Sequence, residues 1–407
     1  MSTGIVRIGV LTYDLQHATE DLLFRLDQVL PNAKLTAYPC FFHPHQEQAR
    51  IDRLPSQLIA RPLGLEADPK TKIGTEGLTR SFNLRAAWQL VIKSDVVVLH
   101  GLQGGTALLA TALSTLLNKP LVAVNHSLGI EMEQGRRWWI KRLKKLLLTR
   151  CDQHICQTPS AQATLSTVYG IDEDRMTFAP FEGGSAAFKA LALTRTERRL
   201  ATRQQLGLAD DETPLFLFVG NVIPLKGPDV LIQALAFLKD RPFRAVMIGQ
   251  EDPGFGHQGT RQHYIDLARQ LGLEHKVSVL PPVDREGLAN LYSAADVFVL
   301  PTRKDCLPKV FIEASVFGLP IITTTAPGSV GLLPRDGVSG WVIPIDDVAA
   351  LARALTAACE PVQRAQYAST IKIDGDRFCD PQAEVDGFLT AISRTRPFQS
   401  IQCNNTP

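Results

Sequence analysis

No run of apolar residues in this chain approaches the roughly 20 needed to cross a bilayer, so a spanning helix is not expected. Charge of one sign is also lacking. The formal net charge of +2 is too small for a nucleic-acid-binding protein, and electrostatic recognition must be local. The seven cysteines (Cys40, Cys151, Cys156, Cys306, Cys359, Cys379 and Cys403) are odd in number and include no C-x-x-C pair. That argues against a disulfide framework and a zinc site, and it suits a reducing compartment. The opening residues, MSTGIVRIGVLTYD, place no long apolar stretch behind a basic segment, which predicts no secretory leader and a cytoplasmic location. There is no internal repeat and no low-complexity segment. No G-x-G-x-x-G follows a strand with an acid about 20 residues on, which disfavours a dinucleotide-dependent oxidoreductase. Asp and His are not clustered at metal spacing, so no metal is expected.

What is present is a soluble, globular composition, 45% hydrophobic and 21% charged, in 407 residues that suit two domains. Short apolar runs alternate with longer helical patterns, the signature of a parallel α/β fold. Strands are expected at Val6–Leu11, Val96–His100, Leu121–Asn125, His154–Gln157, Leu215–Val219, Ala245–Ile248, Val277–Leu280, Val297–Leu300 and Pro320–Thr323. Most are continuous Val, Ile, Leu and Phe, as in strands covered on both faces. The composition changes between about Phe181 and Thr213. This places one domain at residues 1–190, joined by a C-terminal helix at 380–400, and a second at 196–375. Residues 40–92 show no firm period.

In open α/β sheets, ligands bind beyond the carboxyl ends of strands. After Leu215–Val219 comes GNVIPLKG, in which Gly220 ends the strand and Lys226 precedes a helix. A lysine beside a helix N-terminus makes a phosphate site, unless it is simply solvated. After Leu300 comes PTRKDCLPKVFIE. Asp305 lies on the loop and Glu313 on the helix, so two acids bracket a helix start whose first amides, near Lys309 and Val310, lack helical partners. Glu313 sits among Phe311, Ile312 and Ala314, and a carboxylate in such surroundings requires a hydrogen-bonding partner.

Here the chain resembles family 4 glycosyltransferases. FVGNVIPLKGPDVLIQAL looks like the opening of their donor domain. DCLPKVFIEASVFGLP is similar to their signature of two glutamates with seven residues between. The intervening EDPGFG…VFVLPT and the later GSVGLLPRDGVSGWVIPIDD follow the same pattern. The resemblance covers residues 196–360 well and the first half loosely. It implies the GT-B fold, two Rossmann-like domains facing across a cleft. It also implies transfer of a sugar from a nucleoside diphosphate, with UDP or GDP the leading nucleotides, with retention and without metal or cofactor. Lys226 would neutralise the diphosphate, Asp305 would hold sugar hydroxyls, and Glu313 would hold the ribose. Gly220, Asn221, Leu307 and the amides of Lys309 and Val310 would line the phosphates, and Pro282 and Val283 would meet the base. Asn221 stands where the family carries arginine, with Arg303 or Lys304 as possible substitutes, and Asp305 stands where it carries glutamate.

For the first half the resemblance implies a histidine near the donor sugar, and His126 matches it. His100, at another strand end, and Asp14 and His17, in the first strand–helix loop, are candidate acceptor contacts. The stretch RRWWIKRLKKLLLTR has seven cations and no acid. On a helical wheel Trp139, Leu143, Leu146 and Leu147 share one face and Arg137, Lys141, Lys144 and Lys145 the other. The expectation is an apolar face packed inward and a basic stripe, with Trp138 beside it, meeting anionic lipid at the inner face of the cell membrane. The acceptor is then a saccharide or a lipid-linked sugar, in surface polysaccharide or glycolipid synthesis. Two rivals stay open: a degenerate nucleotide-sugar-binding partner subunit, and a nucleotide-sugar 2-epimerase.

Overall fold

The computed structural model describes residues 5–12, 17–30, 33–39, 84–101, 105–125, 133, 137–181, 183, 185–208 and 213–396. The chain divides into two compact units, Met1–Glu182 with Asp380–Pro407, and Gly183–Cys379. The boundary at Gly183 falls before the helix Ser185–Ala192, which packs within the second unit.

The first unit holds a sheet of β1 (Val6–Thr12), β2 (Ala33–Pro39), β3 (Val96–His100), β4 (Leu121–Asn125), β5 (Gln153–Cys156) and β6 (Met176–Phe178), ordered β2-β1-β3-β4-β5-β6. All neighbouring pairs are parallel. The C-terminal helix Pro381–Ser393 returns to this sheet and buries Val385, Phe388, Ala391 and Ile392 against it. At about 1.5–3 kcal/mol for each large side chain, that contact is comparable with a whole domain's net stability. Gly387 permits the close crossing, because a Cβ there would lie 2.4 Å from that of Ala179.

The second sheet contains β7 (Leu215–Val219), β8 (Arg244–Ile248), β9 (Val277–Leu280), β10 (Val297–Leu300), β11 (Ile321–Thr324) and β12 (Gly340–Ile343). It is ordered β12-β11-β10-β7-β8-β9 and is again wholly parallel. Every residue of β7, LFLFV, is buried, as expected of a central strand covered on both faces. The sequence reading omits β2, β6 and β12, and all three are edge strands.

One device recurs at the amino ends of both sheets. Asp95, Asp152 and Asp296 each immediately precede β3, β5 or β10, and each accepts an amide from the first or second residue of a neighbouring strand. The donors are Arg7 (2.9 Å), Leu121 (2.8 Å) and Leu215 (2.8 Å). A carboxylate there satisfies an amide that the ladder leaves orphaned. Asp296 also binds Arg199 (2.8 Å) and the buried Arg203 (3.2 Å), tying the helix Arg195–Gln205 to the second sheet.

The helix Trp138–Arg150 departs from its expected orientation on both faces, although Arg137, Trp138 and Lys145 are exposed as expected. Leu148 is its buried residue, and Lys141 and Lys144 are half-buried, whereas Trp138, Trp139, Leu143 and Leu146 are exposed. The cause lies in the neighbouring residues. Buried Glu133 accepts from Lys144 Nζ at 2.6 Å and from the Tyr169 hydroxyl at 2.5 Å, so an ion pair directs the lysine edge inward.

Candidate functional site

The order of the second sheet reverses between β7 and β10, because the chain moves outward from β7 through β8 to β9 and returns beside β7 with β10. The loops leaving β7 and β10 therefore part at the carboxyl edge, the position where open α/β sheets bind ligands.

After β7, Gly220 donates to Ile248 O at 3.0 Å and Val222 to Gln250 O at 2.9 Å, holding the loop against β8. Gly249 makes this possible, since a Cβ there would lie 1.7 Å from Gly220 O. A short 3-10 turn, Pro224–Lys226, leads to Gly227 in the left-handed region (φ 71°) and then to the helix Pro228–Ala236. A Cβ on Gly227 would stand 2.0 Å from Pro301 O, so glycine lets the two loops touch.

They are then bound together. Arg303 N and Thr302 Oγ1 both donate to Leu225 O, at 2.8 and 3.0 Å. The Arg303 guanidinium donates to Pro224 O, forks onto Asp229 at 2.9 and 2.7 Å, and meets Asp346 at 2.6 Å. Arg303 thus acts as a brace. It is not available as the substitute phosphate cation, because its donors are spent on two carboxylates and a carbonyl. Lys304 is exposed.

Across this junction Lys226 Nζ donates to Asp305 Oδ2, joining two of the residues singled out from the sequence. The loop after β11 closes the other flank, with Asp305 in a bridge to Pro327 and Gly328 N donating to Cys306 O at 3.0 Å. The helix Lys309–Val316 follows, and no side chain caps its start. Its N-terminus presents partial positive charge toward the loop that carries Asp305.

Glu313 lies on that helix and accepts from the buried Tyr292 hydroxyl at 2.8 Å. Burial pushes the Glu313 carboxyl above its ordinary range, against the opposing pull of the Tyr292 hydrogen bond and of Lys309 and Arg285. Tyr292 is fixed by aromatic packing, stacked on Phe317 at 5.5 Å and edge-on to Phe188 at 6.0 Å. The sequence reading requires a partner for Glu313 without naming one. The only sign of Tyr292 in the sequence is a lone hydroxyl in the helix segment Leu288–Tyr292, whose other residues are apolar except Asn290.

Other candidates are placed less decisively. Asn221 is exposed, and Leu307 and Val310 are half-buried. Pro282 and Val283 are exposed beyond β9, before Asp284 caps the next helix by accepting from Gly287 N at 2.8 Å. In the first unit His100 is half-buried at the carboxyl end of β3, beside the sheet's own reversal between β1 and β3. His17 opens the helix His17–Val29. Asp14 and His126 lie outside the described residues.

Comparison with known proteins follows the same division. The profile "Glycosyl transferases group 1" matches residues 200–369, and "Glycosyltransferase Family 4" matches residues 43–180. Among curated relatives, a D-inositol 3-phosphate glycosyltransferase from Nocardia farcinica is 35% identical over 53% of this chain and 46% of its own length. The first curated relatives are matched over only about a third to a half of their length. Solved structures share the fold along nearly the whole chain. A Rickettsia africae glycosyltransferase has a TM-score of 0.71 at 16% identity, covering 98% of this chain and 99% of its own. The Anabaena protein HepE, solved with UDP, also scores 0.71, at 18% identity over 96% and 100%. The solved structures show a GT-B fold along nearly the whole chain, and the two profiles, falling on the two units, place this protein among the family 4 glycosyltransferases.

Proposed function

We propose that the protein transfers a sugar from a nucleoside diphosphate to a saccharide or lipid-linked acceptor, with retention and without a metal ion. The observation that carries this reading is the Lys226–Asp305 pair across the β7/β10 reversal, with Glu313 held by Tyr292 on the adjoining helix. A diphosphate entering there would draw Lys226 from Asp305, freeing the carboxylate for hydroxyls of the sugar. Lys226 and the N-terminus of Lys309–Val316 would stabilise charge developing on the departing phosphate. That phosphate, on the same face as the acceptor, would take the acceptor hydroxyl's proton. Glu313 would receive the ribose hydroxyls, and Pro282 and Val283 would border the base.

UDP is the first nucleotide to try, because HepE was solved with it. The second unit serves as donor domain in this reading and the first as acceptor domain, with His100, Asp14 and His17 toward the acceptor and His126 assigned to the donor sugar. Relatives named for D-inositol 3-phosphate make a phosphorylated polyol a second acceptor class to test beside sugars. A role in surface polysaccharide or glycolipid synthesis at the cytoplasmic side of a membrane accords with a lipid-linked acceptor.

The deciding experiment is calorimetric titration with UDP, GDP, ADP and their sugar conjugates, on the wild type and on Glu313→Ala. Selective binding lost in the variant supports the donor site and names the base. Well-folded wild type that binds none of them sinks the reading and favours a degenerate partner subunit, the rival motivated by Asn221 and Asp305 standing where the family carries arginine and glutamate.

A further inference from the structure

We infer that the helix Trp138–Arg150 docks the first unit on an anionic lipid bilayer through its tryptophan and leucine face, not through the lysine edge favoured by the sequence. At 100° per residue, Trp139, Leu143 and Leu146 point away from buried Leu148, with Trp138 on the shoulder. Their exposures are 73% for Trp138, 48% for Trp139, 43% for Leu143 and 52% for Leu146. Four large apolar side chains turned to solvent within one helix form a patch of the kind that marks an interaction surface, not the scattered exposure of an ordinary exterior.

The inward edge is accounted for separately. Lys144 is paired with Glu133 and lies 5.8 Å over the Tyr169 ring, so it does not face outward. The cations beside the apolar stripe are instead Arg142 and Arg150, both exposed, and the helix contains no acid. Charge complementarity identifies the occupant. Tryptophans rimmed by cations fit the boundary between acyl chains and anionic headgroups, where an indole buries its ring and arginine meets phosphate. The apolar character continues laterally. The adjacent helix Gly105–Leu116 leaves Leu116 exposed, and beside it Leu84–Lys93 leaves Trp88 and Ile92 exposed. A bilayer at this face would hold a lipid-linked acceptor beside the first unit, extending the proposed function by a partner whose binding needs no nucleotide.

The test is flotation of the full-length protein with vesicles of phosphatidylcholine alone and of phosphatidylcholine with phosphatidylglycerol, with tryptophan fluorescence read alongside. Wild type should float with the anionic vesicles, release as salt is raised, and show a blue shift. Arg142→Gln with Arg150→Gln should weaken binding about thirtyfold. Trp139→Glu with Leu146→Glu should abolish it at an unchanged melting temperature, and Lys141→Gln should leave it nearly intact. Wild type that stays with neither vesicle overturns the inference, as does binding that survives the Trp139→Glu, Leu146→Glu change. A concentration-dependent dimer dissolved by that change, without vesicle binding, would assign the face to self-association and also overturn it. Because no nucleotide is present, none of these outcomes bears on the donor reading.

Discussion

The two sheets place their reversals one strand apart in sequence of assembly, and their chemistry diverges there. In the second unit the reversal lies between β7 and β10, and both loops leaving it carry charge: Lys226 on one, Asp305 on the other, held in contact by Arg303 and by the absent side chain of Gly227. In the first unit it lies between β1 and β3, where β3 ends in half-buried His100. A diphosphate needs concentrated positive charge, which the second arrangement supplies. A neutral hydroxyl acceptor needs orientation more than charge. Under the proposed function one architecture would serve two recognition tasks, according to which residue types occupy the same topological position.

The largest expected effect separates the two positions directly. Lys226→Ala should lower kcat/KM for transfer roughly a hundredfold or more by removing the cation opposite the leaving phosphate. His100→Ala should instead raise the acceptor KM and leave calorimetric nucleotide affinity unchanged. Equal loss of nucleotide affinity in both variants would end the division of labour. Next, Asp296→Ala should destabilise by about 3 kcal/mol in thermal melting, because it removes the carboxylate that neutralises Arg203 and Arg199 and frees the Leu215 amide. Asn221→Arg should tighten nucleoside diphosphate binding about tenfold, adding the charge-assisted contact that the β7 loop lacks. No gain in titration would mean that the loop points elsewhere.

Smaller effects compare stability between the units. Asp95→Ala, the first-unit counterpart of Asp296→Ala, should cost about 1 kcal/mol or less, since its partner Arg7 is half exposed. Hydrogen bonding from Arg7 holds the Asp95 carboxyl below its ordinary range. That contribution is therefore present above the usual carboxylate pKa and is lost as pH falls through the depressed value. Glu313 has the opposite sign. Its folded pKa is raised, so its ionised form is a cost above that pKa, relieved as pH falls. Glu313→Gln, which keeps an acceptor for Tyr292, should raise the melting temperature slightly near neutral pH, with the gain shrinking in acid. A gain that grows in acid would refute burial as the cause.

The central strands were legible because they are covered on both faces and must be apolar throughout, as LFLFV and VVVL are. The edges β2, β6 and β12 were not. One side of each has no strand neighbour, so AKLTAYP, MTF and GWVI mix polar and apolar residues and resemble loops. Lys226, Asp305 and Glu313 were also legible, through their placement after strands and at a helix start. The brace formed by Arg303 was not, because Asp229 and Asp346, 74 and 43 positions away, meet it only through the fold.

By itself the sequence determined what its periodicities and loop residues encode locally: two parallel α/β sheets, a charged pair of loops in the second half, and an amphipathic helix near residue 140. Tertiary structure alone decided which ends of that pattern meet and which way it faces. Helical spacing defines two sides of Trp138–Arg150, but it does not say which is inside. The buried carboxylate of Glu133 settles that, because it draws Lys144 inward and so turns the opposite, tryptophan-bearing side to solvent.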